Sequence, residues 1–301
     1  MTEGFNSATI YNMAPSIGEI IKILIKACAF STVFALGLKT SWKDVTYLLY
    51  NPGLCSRSLL GMFLITPLIA VLLAYVAVVP MTIKVAVILM AISASVPKLP
   101  KKLLKLGTDQ QYVLSLSVIT SLCAIVTIPL SVFLLGTFFS RAFTINIGQI
   151  ATTIALNVFV PLLAGMIVRV ITIALAEKLA SPIMTMAEII TVLPIMLILA
   201  TKISAVVGIG IPGLATIAVM TGASLAVGHL LGGPVSNNRT TLAIACATRF
   251  PGLGLLIASQ NFPHDKPLPV VVAYLLISNL TALPYLRWRK RLNTAFSPGT
   301  K

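Results

Sequence analysis

Arg249 is the residue of this chain with the clearest chemical use, because it places a cation inside a hydrophobic segment. It belongs to the run Ala245-Cys-Ala-Thr-Arg249-Phe-Pro251. A charge near the centre of a bilayer costs at least about 2.5–3.5 kcal/mol on insertion scales, so it normally faces a cavity or a partner. A guanidinium holds a carboxylate or sulfonate with two parallel hydrogen bonds. We therefore expect Arg249 to contact an anionic substrate, and an ion pair with Glu188 is the structural alternative.

A second hydrophobic segment repeats the frame around Arg249. The run Ala91-Ile-Ser-Ala-Ser95-Val-Pro97 has its proline at the same place, 154 residues before Pro251. Proline removes an N–H group and clashes with the preceding turn, so both helices should end or kink there. Non-helical backbone at membrane depth survives only where protein or a cavity surrounds it. Such a pair of broken segments in two halves of a chain is typical of a transporter binding site.

The residues around the two breaks are therefore the predicted site. Predicted substrate-binding residues are Arg249, Thr248, Phe250, Gly252, Ser95, Lys98 and Asn279, and weaker predicted ion-binding residues are Ser117, Thr120 and Ser121. The positive end of a half-helix that starts near Gly252 would add to the anion site. Two alternatives stay open: Lys98 serves only as a cytoplasmic anchor, and the hydroxyls bond only their own helices.

The composition indicates an integral membrane protein. Of the 301 residues, 57% are hydrophobic and 10% are charged, and the mean hydropathy is +1.00. The net charge of +15 is explained by cytoplasmic loops rather than by nucleic acid. His229 and His264 are far apart, with no acid or cysteine at ligand spacing, so no metal site and no cofactor are expected.

The apolar runs predict an all-α protein with about nine transmembrane helices. They lie at about 17–38, 54–79, 82–106, 109–136, 147–175, 182–206, 211–232, 237–261 and 268–286. The third and the eighth contain the breaks. A second proline pair, Pro129 and Pro284, is 155 residues apart, which favours an inverted repeat over coincidental kinks. We expect one transporter domain over 1–301, with a first repeat at about 17–136, a connecting helix at about 147–175 and a second repeat at about 182–286.

The basic residues predict the orientation. With the C-terminus inside, the outer surface keeps only Lys84, Arg141, Lys202 and Lys266, and the other basic residues outside the spans fall on the inner surface. This distribution favours an N-terminus outside and a cytoplasmic C-terminus in the plasma (inner) membrane, without a cleaved signal peptide. The stretch 41–50 reads as a short helix at the membrane surface, where Trp and Tyr rings are favoured.

At its broken helices the chain resembles the bile acid:sodium symporter family. The resemblance rests on Ser95-Val-Pro-Lys-Leu-Pro-Lys-Lys, Leu114-Ser-Leu-Ser-Val-Ile-Thr120, Phe63-Leu-Ile-Thr-Pro67 and the run from Arg239 to Gly254. It covers nearly the whole length. It implies two discontinuous crossing helices in a mobile core domain packed against a panel domain. It also implies an organic anion as substrate at their interface.

The departures from the family pattern concern the sodium ligands. Met62 stands where the family has Gln, and Ala245 and Arg249 stand where it has Glu and Gln. The stretch 97–102 replaces a Ser-Asn pair. Only the hydroxyls match, at Ser117 and, more weakly, at Ser121. We infer that fixed cations have replaced bound sodium, so that a proton gradient, exchange or uniport would drive transport.

The favoured function is thus secondary transport of a small organic anion by alternating access in a lipid bilayer. A sodium-coupled symporter with a rearranged ion site is an alternative, and a channel or membrane sensor on the same scaffold is another. An enzyme is the least favoured class, because no catalytic constellation is present. The sequence leaves open the substrate, the coupling ion (proton or sodium), the direction of transport and the oligomeric state.

Overall fold

The protein is all-helical in the residues that the structure, a computed structural model, describes. These are residues 17–97, 99, 103–104, 108–138, 147–261 and 267–295. We number the helices α1 to α11 in chain order. Their bounds are α1 Ile17–Lys39, α2 Trp42–Tyr50, α3 Pro52–Val76, α4 Met81–Ile92, α5 Gln110–Phe138, α6 from Ile147 to Ile171, α7 Ile173–Val207, α8 Gly210–Leu231, α9 Ser236–Ala247, α10 Pro251–Asn261 and α11 Leu268–Ala295.

Seven of these helices are long and apolar enough to cross a membrane, counted over the described residues. They are α1, α3, α5, α6, α7, α8 and α11. The remaining two predicted spans are divided: α4 ends at Ile92, and the eighth span consists of α9 and α10. Nine crossings, the inverted repeat and the core and panel domains therefore stay predictions. The predicted surface helix is α2, which begins with a capping box between Ser41 and Asp44.

Two helices contain a π-helical turn immediately before a proline. In α3 the turn is Leu60–Ile65, followed by Thr66 and Pro67. In α6 it is Ala155–Phe159, followed by Val160 and Pro161. Proline cannot donate the hydrogen bond that an α-helix needs at that position, and an inserted residue accommodates the missing bond. The wider turn leaves backbone carbonyls of α3 available to other side chains.

Helix α1 occupies a central position, packed against α6 and α7. Its crossing with α6 is unusually close, because Gly37 and Gly165 face each other there. A Cβ on Gly37 would lie 2.4 Å from the Leu162 carbonyl oxygen, and a Cβ on Gly165 would lie 2.4 Å from that of Phe34. Small residues that let backbones approach are the usual means of helix association in membranes.

Helix α8 holds α9 in a similar way. A Cβ on Gly228 would lie 2.5 Å from the Ala243 Cα, so the backbones of α8 and α9 are in direct contact. The last eight residues of α9, from Thr240 to Ala247, are all buried. The break that follows Ala247 is therefore enclosed by protein rather than exposed to lipid, as membrane-depth irregular backbone requires.

Candidate functional site

The two broken segments meet, and their backbones pair at the breaks. Ser95 and Arg249 form an isolated antiparallel β-bridge. The Phe250 amide donates a hydrogen bond to the Ala94 carbonyl at 3.0 Å. Backbone groups that lie in the non-helical breaks thus find partners in each other, as buried polar backbone requires.

The Arg249 side chain is buried at this junction, with 2% of its surface exposed. Its three nitrogens each donate to a different backbone carbonyl. Nε donates to Cys246 at 2.9 Å, Nη1 to Ser93 at 2.9 Å and Nη2 to Met62 at 3.0 Å. One guanidinium therefore ties together the two breaks and the π turn of α3.

The three carbonyls share a local reason for accepting a cation. Ser93 is the C-cap residue of α4, and Cys246 lies in the last turn of α9. The last four carbonyls of a helix lack intrahelical partners and carry the negative end of the helix dipole. Met62 lies in the π turn of α3. Arg249 thus sits where two helix ends concentrate negative potential.

The partners of Arg249 in this geometry differ from the structural alternative, an ion pair with Glu188. Within the described residues its hydrogen bonds go to carbonyls, and none goes to Glu188. A guanidinium has five N–H donors, and these bonds use three of them. The role of Arg249 in substrate binding stays a prediction, because the structure contains no substrate.

The predicted hydroxyl cluster lies beside the first break and is fully buried. The Ser95 and Thr120 hydroxyls are 3.0 Å apart, which connects the break to α5. Thr120 donates to the Leu116 carbonyl, Ser117 to that of Val113, and Ser121 to that of Ser117. The hydroxyl protons of Ser117, Thr120 and Ser121 are therefore used within α5, and only their oxygen lone pairs are left for an ion or substrate.

The remaining predicted site residues fall into three groups. Thr248 and Phe250 are buried next to Arg249, and Thr248 donates to the Ile244 carbonyl at 2.6 Å. Gly252 packs against the Phe250 ring, since a Cβ on Gly252 would lie 2.9 Å from the nearest ring carbon. Asn279 lies on α11 with an exposed side chain that donates to the Leu275 carbonyl. Lys98 lies outside the described residues.

The structure adds one polar side chain that the sequence reading missed. Tyr274 of α11 is 1% exposed, and among the described residues its hydroxyl has no hydrogen-bond partner. Arg249 and Thr221 are polar neighbours of this hydroxyl. The Thr221 proton is already donated to the Ile217 carbonyl at 2.8 Å. A tyrosine in the middle of the apolar run of α11 was the available sequence signal.

Comparison with known proteins gives one family. The model of the sodium bile acid symporter family matches residues 27–209, which include Met62, the first break and α7. Arg249 lies beyond the match. No curated protein matches the chain. The members of this family are transporters rather than enzymes. Because the matched residues are more than half of the sequence, we conclude that this integral membrane protein belongs to the sodium bile acid symporter family.

Proposed function

We propose that the protein is a secondary transporter that carries a small organic anion by alternating access, and that Arg249 replaces a bound sodium ion. The observation that supports this most directly is the guanidinium that bridges the carbonyls of Ser93, Cys246 and Met62. Broken-helix ends and unwound carbonyls are the groups that coordinate a coupling cation in transporters with this type of repeat.

A tethered cation changes the energetics of the transport cycle. A bound sodium ion arrives and leaves with the substrate, whereas a guanidinium on the chain stays at the crossing in every state. The two breaks then remain joined without an ion gradient. Sodium also needs oxygen ligands, and the side chains of Met62, Ala245 and Arg249 contribute none. Transport driven by a proton gradient, by exchange or by the substrate gradient alone is the expected result.

A cavity near the predicted inner surface supports the proposal that the substrate is an anion. Its volume is about 340 Å³, and it is lined by residues of α1, α5, α6 and α7, among them Lys39, Arg169, Gln110 and Ser181. Two basic side chains and two polar ones in a membrane protein favour entry of a carboxylate over entry of a cation. Glu177 also lines this cavity and is 3.4 Å from Arg169, so an incoming anion would compete with that carboxylate.

Uptake into proteoliposomes tests the proposal. The purified full chain is reconstituted and given a panel of labelled carboxylates under a sodium gradient, a proton gradient or neither. We expect saturable uptake of at least one carboxylate, acceleration by unlabelled substrate on the opposite side, and the same rate when choline replaces sodium. Strict dependence on sodium would contradict the replacement by Arg249. Flux without saturation or counterflow would indicate a channel instead.

A further inference from the structure

A groove beside the α1–α2 link contains a basic residue between apolar walls. Its volume is about 190 Å³, and the residues that line it include Thr40, Ser41, Trp42, Arg169, Val170 and Ile173. We refer to it as the Arg169 groove. It lies where α1 ends, α2 begins, and α6 passes into α7, which is the predicted cytoplasmic surface of the membrane.

Arg169 is held in a fixed position at this groove. Its Nη1 donates to the Leu38 carbonyl at 3.0 Å, which fixes the guanidinium against the end of α1. Its Nη2 is 3.4 Å from Glu177, whose side chain is 63% exposed, whereas that of Arg169 is 21% exposed. These two bonds use two of the five guanidinium donors. The other donors allow Arg169 to bind a phosphate with paired hydrogen bonds.

The charges around the groove favour an anion. Lys39 and Lys43 belong to the segments on either side of the α1–α2 link, Lys178 follows Glu177 on α7, and the carboxylates of these segments are Asp44 and Glu177. Asp44 already accepts hydrogen bonds from the Ser41 amide and hydroxyl, at 2.8 Å and 2.6 Å. With Arg169, these segments carry four cations and two carboxylates, and both carboxylates already have partners.

The apolar walls favour a lipid over a soluble anion. Val170 is 62% exposed, Ile173 59% and Trp42 59%, so a molecule in the groove would have hydrocarbon contacts beside its charged group. Trp is enriched at the headgroup level, and basic pockets between helices on the cytoplasmic side bind anionic headgroups. We propose that the Arg169 groove binds one glycerophospholipid with an anionic headgroup, with its phosphate on Arg169 and an acyl chain along Val170 and Ile173.

Native mass spectrometry of the detergent-purified full chain tests this proposal. The probes are dioleoyl phosphatidylglycerol and dioleoyl phosphatidylcholine, added in equal amounts. We expect one phosphatidylglycerol to stay bound in preference to phosphatidylcholine. Ile173→Glu should weaken that binding at least about fivefold, because it places a negative charge in the wall without removing any bond of Arg169. Ile171→Glu is the matched control, since Ile171 is 76% exposed but does not line the groove.

A second pair of variants removes positive charge. Arg169→Gln should weaken phosphatidylglycerol binding about fivefold, whereas Lys202→Gln, which removes an exposed charge near the other end of α7, should leave it within about twofold. If Arg169→Gln does not fold, the isoleucine pair decides. Equal retention of the two lipids, or equal losses in Ile173→Glu and Ile171→Glu, would overturn the proposal. Displacement of the lipid by excess inorganic phosphate would also overturn it, because the groove would then be a site for free anions.

Discussion

At the scale of single residues, Arg249 is unusual because its buried positive charge is stabilised by hydrogen bonds to backbone carbonyls rather than by an acidic side chain. Hydrogen bonds that involve a charged group contribute about 1.5–3 kcal/mol each, and Arg249 makes three of them to carbonyls that have no helical partner. Removing the guanidinium would leave the carbonyls of two helix ends facing each other without a donor. Such a site attracts another cation.

We therefore predict that Arg249→Ala creates a sodium site. Sodium chloride should raise the thermal unfolding temperature of the variant by a few degrees relative to choline chloride, because binding to the folded state alone stabilises it. The wild-type protein should show no difference between the two salts. The measurement is thermal unfolding in detergent over a range of sodium concentrations at constant ionic strength.

Arg287→Ala is the matched control for this experiment, because Arg287 is an exposed arginine on α11. It should respond to sodium as the wild-type protein does. If Arg249→Ala unfolds at the same temperature in both salts, the three carbonyls do not form a cation site, and the account of sodium replacement loses its physical basis.

The sequence identified Arg249 but could not identify what it contacts. A cation in an apolar segment can be recognised from the sequence alone, and the free-energy cost of burying its charge in lipid means that it needs a partner. Backbone carbonyls that accept a side chain have no sequence signature, whereas an acid such as Glu188 inside a predicted span can be identified directly. For Asn279 the sequence gives the span but not the direction of the side chain, which the rotation of α11 leaves exposed. Rotation of a helix about its axis depends on packing with its neighbours.

At the scale of elements, prolines and glycines determine how the helices end and how closely they pack. The predicted span at 237–261 corresponds to α9 and α10, and the predicted span at 268–286 continues to Ala295 in α11. The π turns before Pro67 and Pro161 were not predicted, because a proline inside an apolar run is also compatible with a kink or a break. The choice depends on the neighbouring helices.

We predict that Gly165→Ala destabilises the protein, because its Cβ would overlap the Phe34 carbonyl and push α1 away from α6. Overpacking of this kind costs about 1–3 kcal/mol. Gly222→Ala is the control: it lies in the interior of α8 and would meet no atom within 4 Å. It should be neutral or stabilising by up to about 1 kcal/mol. Denaturant unfolding in detergent measures both.

The pair of glycine variants separates helix contact from helix propensity. Alanine favours helix formation at both positions, so a stabilised Gly165→Ala would mean that α1 and α6 can separate without cost. Such a result would contradict the close crossing of these two helices.

At the scale of the whole molecule, the contact between the two breaks joins the first and second halves of the chain. Two segments 154 residues apart in sequence meet through the Ser95–Arg249 bridge, although their sequences share little beyond a proline frame. The inverted repeat predicted from the proline spacing would place the two breaks opposite each other, and the observed contact between the breaks agrees with that expectation. The direction in which the substrate moves has no such counterpart, since it depends on gradients outside the chain.

The orientation of the chain can be tested on a single helix. Lys178 and Lys202 are both exposed on α7. They are 24 positions apart, which in a helix corresponds to about 36 Å, more than the hydrocarbon thickness of about 30 Å. The excess of basic residues predicts Lys178 inside and Lys202 outside. We expect a membrane-impermeant maleimide to label Lys202→Cys in intact cells and Lys178→Cys only after permeabilisation. The wild-type protein, whose Cys28 and Cys246 are buried and whose Cys55 and Cys123 are partly so, gives the background.

Labelling in the reverse order would invert the topology and place the Arg169 groove in the outer leaflet. Labelling of both positions from outside would mean that α7 does not span the membrane.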